Sequence, residues 1–206
     1  MTTVVLVRHG LTDAVGTWMN GALPGVPLNA VGLAQAAALP DRLSALPIAA
    51  IYASPFLRTQ QTAAPLAAAR GLSVQDEPRL REVGFGRWEG VRFDALRDDP
   101  HWRHYNVVRS LTRPPGDGET LVEVQARAVA ALLEVVVRHE GETVVLVSHG
   151  DTLRALLQYL LSIPIDHVQR LELSPASLSV VRLGSGVAPV VLQVNGEYLA
   201  PVVAGA

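Results

Sequence analysis

Apolar runs that break off abruptly into polar residues recur along the chain. Val4-Val5-Leu6-Val7 runs straight into Arg8-His9-Gly10-Leu11-Thr12, and Val144-Val145-Leu146-Val147 leads into Ser148-His149-Gly150 before a helix opening at Asp151. A third short apolar run, residues 48–53, ends in Ser54-Pro55. Uninterrupted apolar runs of this length, bounded by turn signals, predict strands buried on both faces. Between them the period lengthens to that of helices. Asn29 is placed to cap a helix whose Leu33, Ala36, Ala37, Leu43 and Leu46 would face a sheet, with Pro40 interrupting it. A second helix carries Arg58 to Ala63 and closes before Gly71. The longest helical pattern, 119–140, sets Leu121, Val129, Leu132, Leu133 and Val136 on one face and stops at Gly141. A fourth helix follows over 152–161. Strands alternating with helices predict a three-layer α/β/α sandwich with a mostly parallel central sheet. Three β-rich runs near the end, at 169–173, 178–183 and 190–194, are separated by Ser-Pro and Gly-Ser-Gly turns and predict antiparallel additions at the sheet margin.

Two segments follow neither period. Residues 16–28 form a Gly/Pro-rich loop containing Trp18, Asn20, Gly21 and Pro24-Gly25. Residues 82–118 mix glycines, aromatics and charges, and are expected to form a lid-like insertion over the carboxyl edge of the sheet. With no low-complexity linker and no internal repeat, residues 1–206 read as a single domain.

Composition removes several kinds of chemistry. The chain has no cysteine, which excludes disulfides, thiol catalysis and cysteine-held zinc or iron–sulfur centres. All 17 basic residues are arginine, so no Schiff-base or P-loop lysine exists. A net charge of −2 gives no footprint for nucleic acid or an anionic membrane. No apolar run reaches transmembrane length and no secretory signal is visible, so a cytoplasmic location is expected. Oligomeric state is not encoded in these patterns; a homodimer is the state to test for.

The two His-Gly strand ends carry the candidate chemistry. Open α/β sheets bind ligands at the carboxyl ends of their strands, and glycine there lets backbone N–H groups approach an anion. Arg8, His9 and His149 can therefore face one phosphate. Four blocks occur in order: Val7-Arg8-His9-Gly10-Leu11-Thr12; Ser54-Pro55-Phe56-Leu57-Arg58-Thr59-Gln60-Gln61-Thr62-Ala63; Leu80-Arg81-Glu82 with Gly86 and Glu89-Gly90; and Val147-Ser148-His149-Gly150. In this order they resemble the histidine phosphatase superfamily, which includes phosphoglycerate mutases and small phosphatases. Taken singly, His9 would read as a satisfied structural histidine and Arg58 as a solvated one; together they favour catalysis.

The resemblance implies that His9 is a nucleophile forming a phosphohistidine, that Arg8, Arg58 and His149 surround the phosphate, and that Glu82 is the general acid and base. It implies phosphate contacts from Arg8, Gly10, Thr12, Asn20, Gly21, Arg58, His149 and Gly150, no metal, no cofactor, and a small phosphorylated metabolite as partner. His101, His104, His139 and His167 read as surface or lid residues, with His101 and His104 placed to border the substrate.

The chain departs from the family at telling places. Val15 stands where many members have a phosphate-contacting Asn, and Leu11 replaces a frequent Glu or Gln. The mutases' substrate-holding Lys aligns near Phe93, and their Arg pair near Val107-Val108. Loss of those cations favours a metal-independent phosphatase over a phosphoglycerate mutase or other phosphomutase. A non-catalytic phosphate- or phosphoprotein-binding module is the third reading. Arg103, Arg109 and Arg113 are available to recognise an anionic group, and Trp88, Phe93, Trp102 and Tyr105 to form an apolar wall.

Overall fold

The computed structural model describes residues 1–184 and 186–199; Ser185, in the Gly-Ser-Gly turn, and residues 200–206 lie outside them. In chain order the elements are β1 (Thr2–Arg8), β2 (Trp18–Met19), α1 (Ala30–Ala37), α2 (Leu39–Arg42), β3 (Ile48–Ala53), α3 (Leu57–Arg70), β4 (Val74–Asp76), β5 (Val91–Arg92), α4 (Phe93–Leu96), α5 (Pro100–Tyr105), α6 (Leu121–Arg138), β6 (Thr143–Ser148), α7 (Gly150–Leu161), β7 (Leu178–Gly184) and β8 (Val187–Gly196). The main sheet runs β4-β3-β6-β1-β7-β8. Its first four strands are parallel, and β7 and β8 close the margin antiparallel.

Strand alternation builds two cores from each apolar run. Val4, Leu6, Val144 and Leu146 face α6 and α7, where Leu132, Leu153 and Leu156 meet them. Val5, Val7, Val145 and Val147 face the other way, onto Leu39, Leu43, Ala63 and Leu66. All eight strand residues are at most 1% exposed, each contributing roughly 1.5–3 kcal/mol of burial as an upper estimate. This double burial makes the runs continuously apolar and the sandwich three layers thick.

Several sequence expectations shift. Leu33 is 49% exposed and Ala37 is also exposed. The helix breaks at Ala38, so α1 turns only Gly32 and Ala36 inward, and Pro40 sits in the first turn of α2, where its missing N–H costs nothing. Leu133 points outward beside buried Leu132, about 100° around α6. The run 169–173 is not a strand: Ile165–Arg170 coils as a 3₁₀ helix. The carbonyls of Leu171 and Leu173 accept instead from Arg154 Nε and Arg8 Nη1. The short strand β4, only partly buried, carries no apolar run and escapes sequence reading.

Residues 82–118 contain a 3₁₀ turn (Gly86–Trp88) together with β5, α4 and α5. β5 pairs antiparallel with β2 from the 16–28 loop, joining the two irregular segments. Met19, Val83, Phe85, Trp88, Leu96 and Tyr105 form a third core that rests on Leu121 and Val124 of α6 and Ala155 of α7. Asp99 caps α5 by accepting from the His101 and Trp102 amides.

Candidate active site

The register of the sheet brings the two histidines together. Arg8 on β1 lies level with Ser148 on β6, so His9 and His149 leave the sheet side by side, their ring centroids 5.3 Å apart. Ala53 pairs with Val147, which sets Ser54 beside them. The loop after His9 is pressed onto α1. A Cβ on Gly10 would come 2.7 Å from the Gly32 carbonyl oxygen, and one on Gly32 would come 2.1 Å from that of Leu11. Only glycine fits on either side of this seam.

The protonation of His9 follows from its partner. Nδ1 lies 2.7 Å from the Gly10 carbonyl oxygen, which can only accept, so Nδ1 carries the proton and Nε2 keeps its lone pair. Burial, then the charges of Arg58 and Arg8, pull this imidazole down to about 3. It is neutral at physiological pH.

His149 is fully buried, and both ring nitrogens are engaged. Arg58 Nε donates to Nδ1 at 3.1 Å, which leaves Nε2–H to donate to Ser54 Oγ at 2.9 Å. Burial, followed by Arg58, holds this ring well below the usual histidine range. It stands behind His9 rather than on the wall of the cavity described below.

Arg58, on the first turn of α3, is held by the carbonyls of Leu23 and Gly21, each at 2.8 Å. Two of its five N–H donors remain for an anion. Burial lowers it to about 10, so it stays charged at neutral pH. Burial, then Arg154, also lowers Arg8. Its Nε is buried and makes no hydrogen bond among the described residues. Arg8 lies flat on Gly150, where a Cβ would sit 3.4 Å from that nitrogen.

Glu82 meets the start of α7. One carboxylate oxygen accepts from the amides of Val83 and Thr152 and from the Thr152 hydroxyl; the other accepts from the Asp151 amide at 3.2 Å. Four donors thus orient the carboxylate. Its backbone is held by Arg127 on α6, which donates to the carbonyls of Arg79, Arg81 and Glu82 and to both oxygens of Glu119. Burial alone would raise Glu119, but Arg127 and the Gly84 amide outweigh it and keep it ionised below its normal range. Sequence reasoning missed Arg127, because an arginine on a helix reads as solvent-facing until its long-range partners are seen.

A cavity of about 320 Å³ opens here. Arg8, His9, Thr12, Asn20, Gly21, Arg58, Glu82 and Gly150 all line it, as do Val15, Phe93, Trp102, Arg109 and Arg154. Gly10 lies just behind, its amide donating to Thr62 Oγ1. Asp151, also on the wall, accepts from Arg109 and Arg154, each at 3.0 Å. Burial would raise its carboxyl, but these two arginines prevail and hold it low.

The expected anion-recognising arginines therefore separate. Arg109 is spent on Asp151 and Asn106, and Arg113 on Glu123 and the Gly118 carbonyl; only Arg103 faces a cleft without an acidic partner. Trp88 and Tyr105 are core residues of the insertion, while Phe93 and Trp102 form wall. His104 is exposed, and His101 turns its Nε2 to the Arg113 carbonyl, away from the cavity. Among the described residues no three His, Cys, Asp or Glu side chains gather to hold a metal ion, and no helix is long and apolar enough to cross a membrane.

Comparison with known proteins bears on the fold and the family. Over 180 residues the chain is 37% identical to a probable phosphoglycerate mutase, GpmB, of Enterobacter sp. (strain 638), covering 87% of this chain and 84% of that protein. The structure of Bacillus stearothermophilus YhfR superimposes with a TM-score of 0.88 at 34% identity, covering 95% of this chain and 98% of the other. The mycobacterial glucosyl-3-phosphoglycerate phosphatase Rv2419c does so with a TM-score of 0.83 at 30% identity, covering 94% and 98%. The sequence model of the histidine phosphatase superfamily (branch 1) matches residues 4–196, and the chain belongs to that superfamily.

Proposed function

We propose that this chain, a phosphomonoesterase of the superfamily, hydrolyses phosphate esters of small metabolites through a phosphohistidine on His9. The observation that carries the reading is the neutral His9 ring, its Nε2 lone pair free, standing in a cavity whose walls carry Arg8 and Arg58. Nε2 attacks phosphorus as the ester P–O bond breaks, and the Glu82 carboxyl gives its proton to the departing alkoxide. Water then attacks the phosphohistidine, the Glu82 carboxylate takes its proton, and inorganic phosphate leaves with His9 restored. Arg8 Nε and the unused donors of Arg58 meet the equatorial oxygens, where phosphoryl transfer needs charge stabilisation. These fixed cations do the work a metal does elsewhere. His149 contributes from behind, its Nδ1 accepting from Arg58 Nε and so aiming that guanidinium at the phosphate.

Hydrolysis is favoured over mutase action because Phe93 and Val107-Val108 put no cation where a bisphosphate would be held. The test is a panel of phosphorylated metabolites assayed for phosphate release in the presence of a chelator, with alkali-stable labelling of the protein. Wild type should release phosphate and carry label, and His9→Ala should do neither. Equal labelling of His9→Ala, restoration of a lost activity by a divalent metal, or efficient 2-/3-phosphoglycerate interconversion exceeding phosphate release would each overturn the reading.

A further inference from the structure

The reaction cavity does not end at its aromatic wall. Phe93 and Trp102, ring centroids 6.2 Å apart, also border a second cavity of about 560 Å³, and Gly16 and Asn106 are shared by both. The phosphate site and this second space are two parts of one cleft, with an aromatic waist between them.

The far part is electropositive. Arg92, Arg97 and Arg103 line it against one acid, Asp94. Arg92 is neutralised by Asp94, which it meets at 3.1 and 3.0 Å, and lies over Trp18 with 5.3 Å from Cζ to the ring centroid. Arg103 gives one N–H to the Asp98 carbonyl at 2.8 Å, a contact that leaves its charge unmatched. Arg97 makes no side-chain hydrogen bond or ion pair among the described residues. Two guanidinium groups, nine free N–H donors between them, thus face the space beyond the waist; neither is hydrogen-bonded to a carboxylate, and Arg97 shares only the field of Asp94, which Arg92 already pairs. Neither sits where the mutases' Lys or Arg pair aligns.

Resting on the phosphatase reading, we propose that the substrate is an elongated phosphomonoester with a second anionic group, carboxylate or phosphate, at its far end. The phosphate enters at His9, the middle runs across the exposed edges of Phe93 and Trp102, and Arg97 and Arg103 bind the distal anion. Arg97 and Arg103 select the substrate; they touch no reacting atom. Because the waist separates the two anion sites, the geometry suits a long molecule and not two phosphates on adjacent carbons.

The experiment uses straight-chain phosphate monoesters of increasing length, each ending in a carboxylate, a second phosphate, or a neutral hydroxyl. In wild type, long anionic-tailed esters should exceed the hydroxyl-tailed ester of equal length in kcat/KM by about five- to tenfold, the scale of a charge-assisted contact at an exposed site. Short esters should show no such preference. Arg97→Ala and Arg103→Ala should each bring that ratio down severalfold, chiefly through KM, and Arg97→Glu should invert it. The carboxylate and phosphate arms tell which anion is preferred. A wild-type ratio near one at every length, or a ratio unmoved by both alanine variants, overturns the proposal while leaving the phosphatase reading intact. If no ester is hydrolysed, the phosphatase reading falls, and calorimetric binding of the matching phosphonates supplies the same ratios for the subsite.

Discussion

A carboxylate surrounded by four donors is a precise instrument, and Glu82 shows what that precision serves. Its two oxygens are fastened to the Val83, Asp151 and Thr152 amides and the Thr152 hydroxyl, so the group that trades protons with the substrate is aimed before the substrate arrives. Glu82→Gln preserves the shape but replaces one acceptor oxygen with an NH₂ and abolishes proton transfer. Turnover should fall on the order of 10² to 10⁴ with substrate affinity nearly kept, the usual contribution of general acid–base catalysis. Steady-state kinetics decides it; native turnover in Glu82→Gln would remove the residue from both proton steps. At this scale Arg8, His9, Arg58 and His149 were legible because strand ends and ordered motif blocks mark them. The hydrogen bonds that set their protonation were not, since the partners Ser54, Gly10 and Gly21 are selected by register and loop path.

Among the elements, α6 is the one whose part in the site is least evident from its sequence. Its apolar stripe packs on the sheet, yet Arg127 on the same helix grips the carbonyls of Arg79, Arg81 and Glu82 in the strandless segment. Arg127→Ala would leave Glu119 part-buried without this partner and should cost about 3 kcal/mol of stability, within the range for breaking such pairs. Measured where the variant is still folded, kcat should fall at least tenfold with KM little changed, because the general acid is displaced and the phosphate-binding arginines are not. A parallel loss in KM, or none in kcat, would reduce Arg127 to a structural residue. The strands with apolar runs were readable because both faces are buried. Residues 169–173 misled because Leu171 and Leu173 alternate with polar Arg170 and Glu172 as in a strand, while the carbonyls of those two leucines are claimed by Arg154 and Arg8.

For the molecule as a whole, neutral buried histidines link stability to acidity. Folded His9 stays neutral down to about 3, whereas the unfolded chain takes up that proton near 6.5. Below 6.5 the unfolded state therefore binds more protons, so stability present at neutral pH is lost as pH falls through this window. The loss is about 1.4 kcal/mol per pH unit for each such histidine, and His149 acts in the same direction. Urea midpoints compared at pH 7 and pH 5, above the carboxylate range, should show the decline, and His9→Gln should make it shallower while leaving the His149 share; a midpoint indifferent to pH would contradict the assigned protonation. The glycine seam between the His9 loop and α1 has a consequence in time rather than shape. The two glycines meet backbone to backbone, with no side chain of their own to swing aside, and two amides bind across the seam: Leu11 to the Gln35 side chain on α1, and Asn29, which caps α1, to the Leu11 carbonyl. Solvent deuterium should reach those two amides at one common slow rate, that of α1 lifting off, so that a loop at the mouth of a cleft keeps the tempo of the core beneath it.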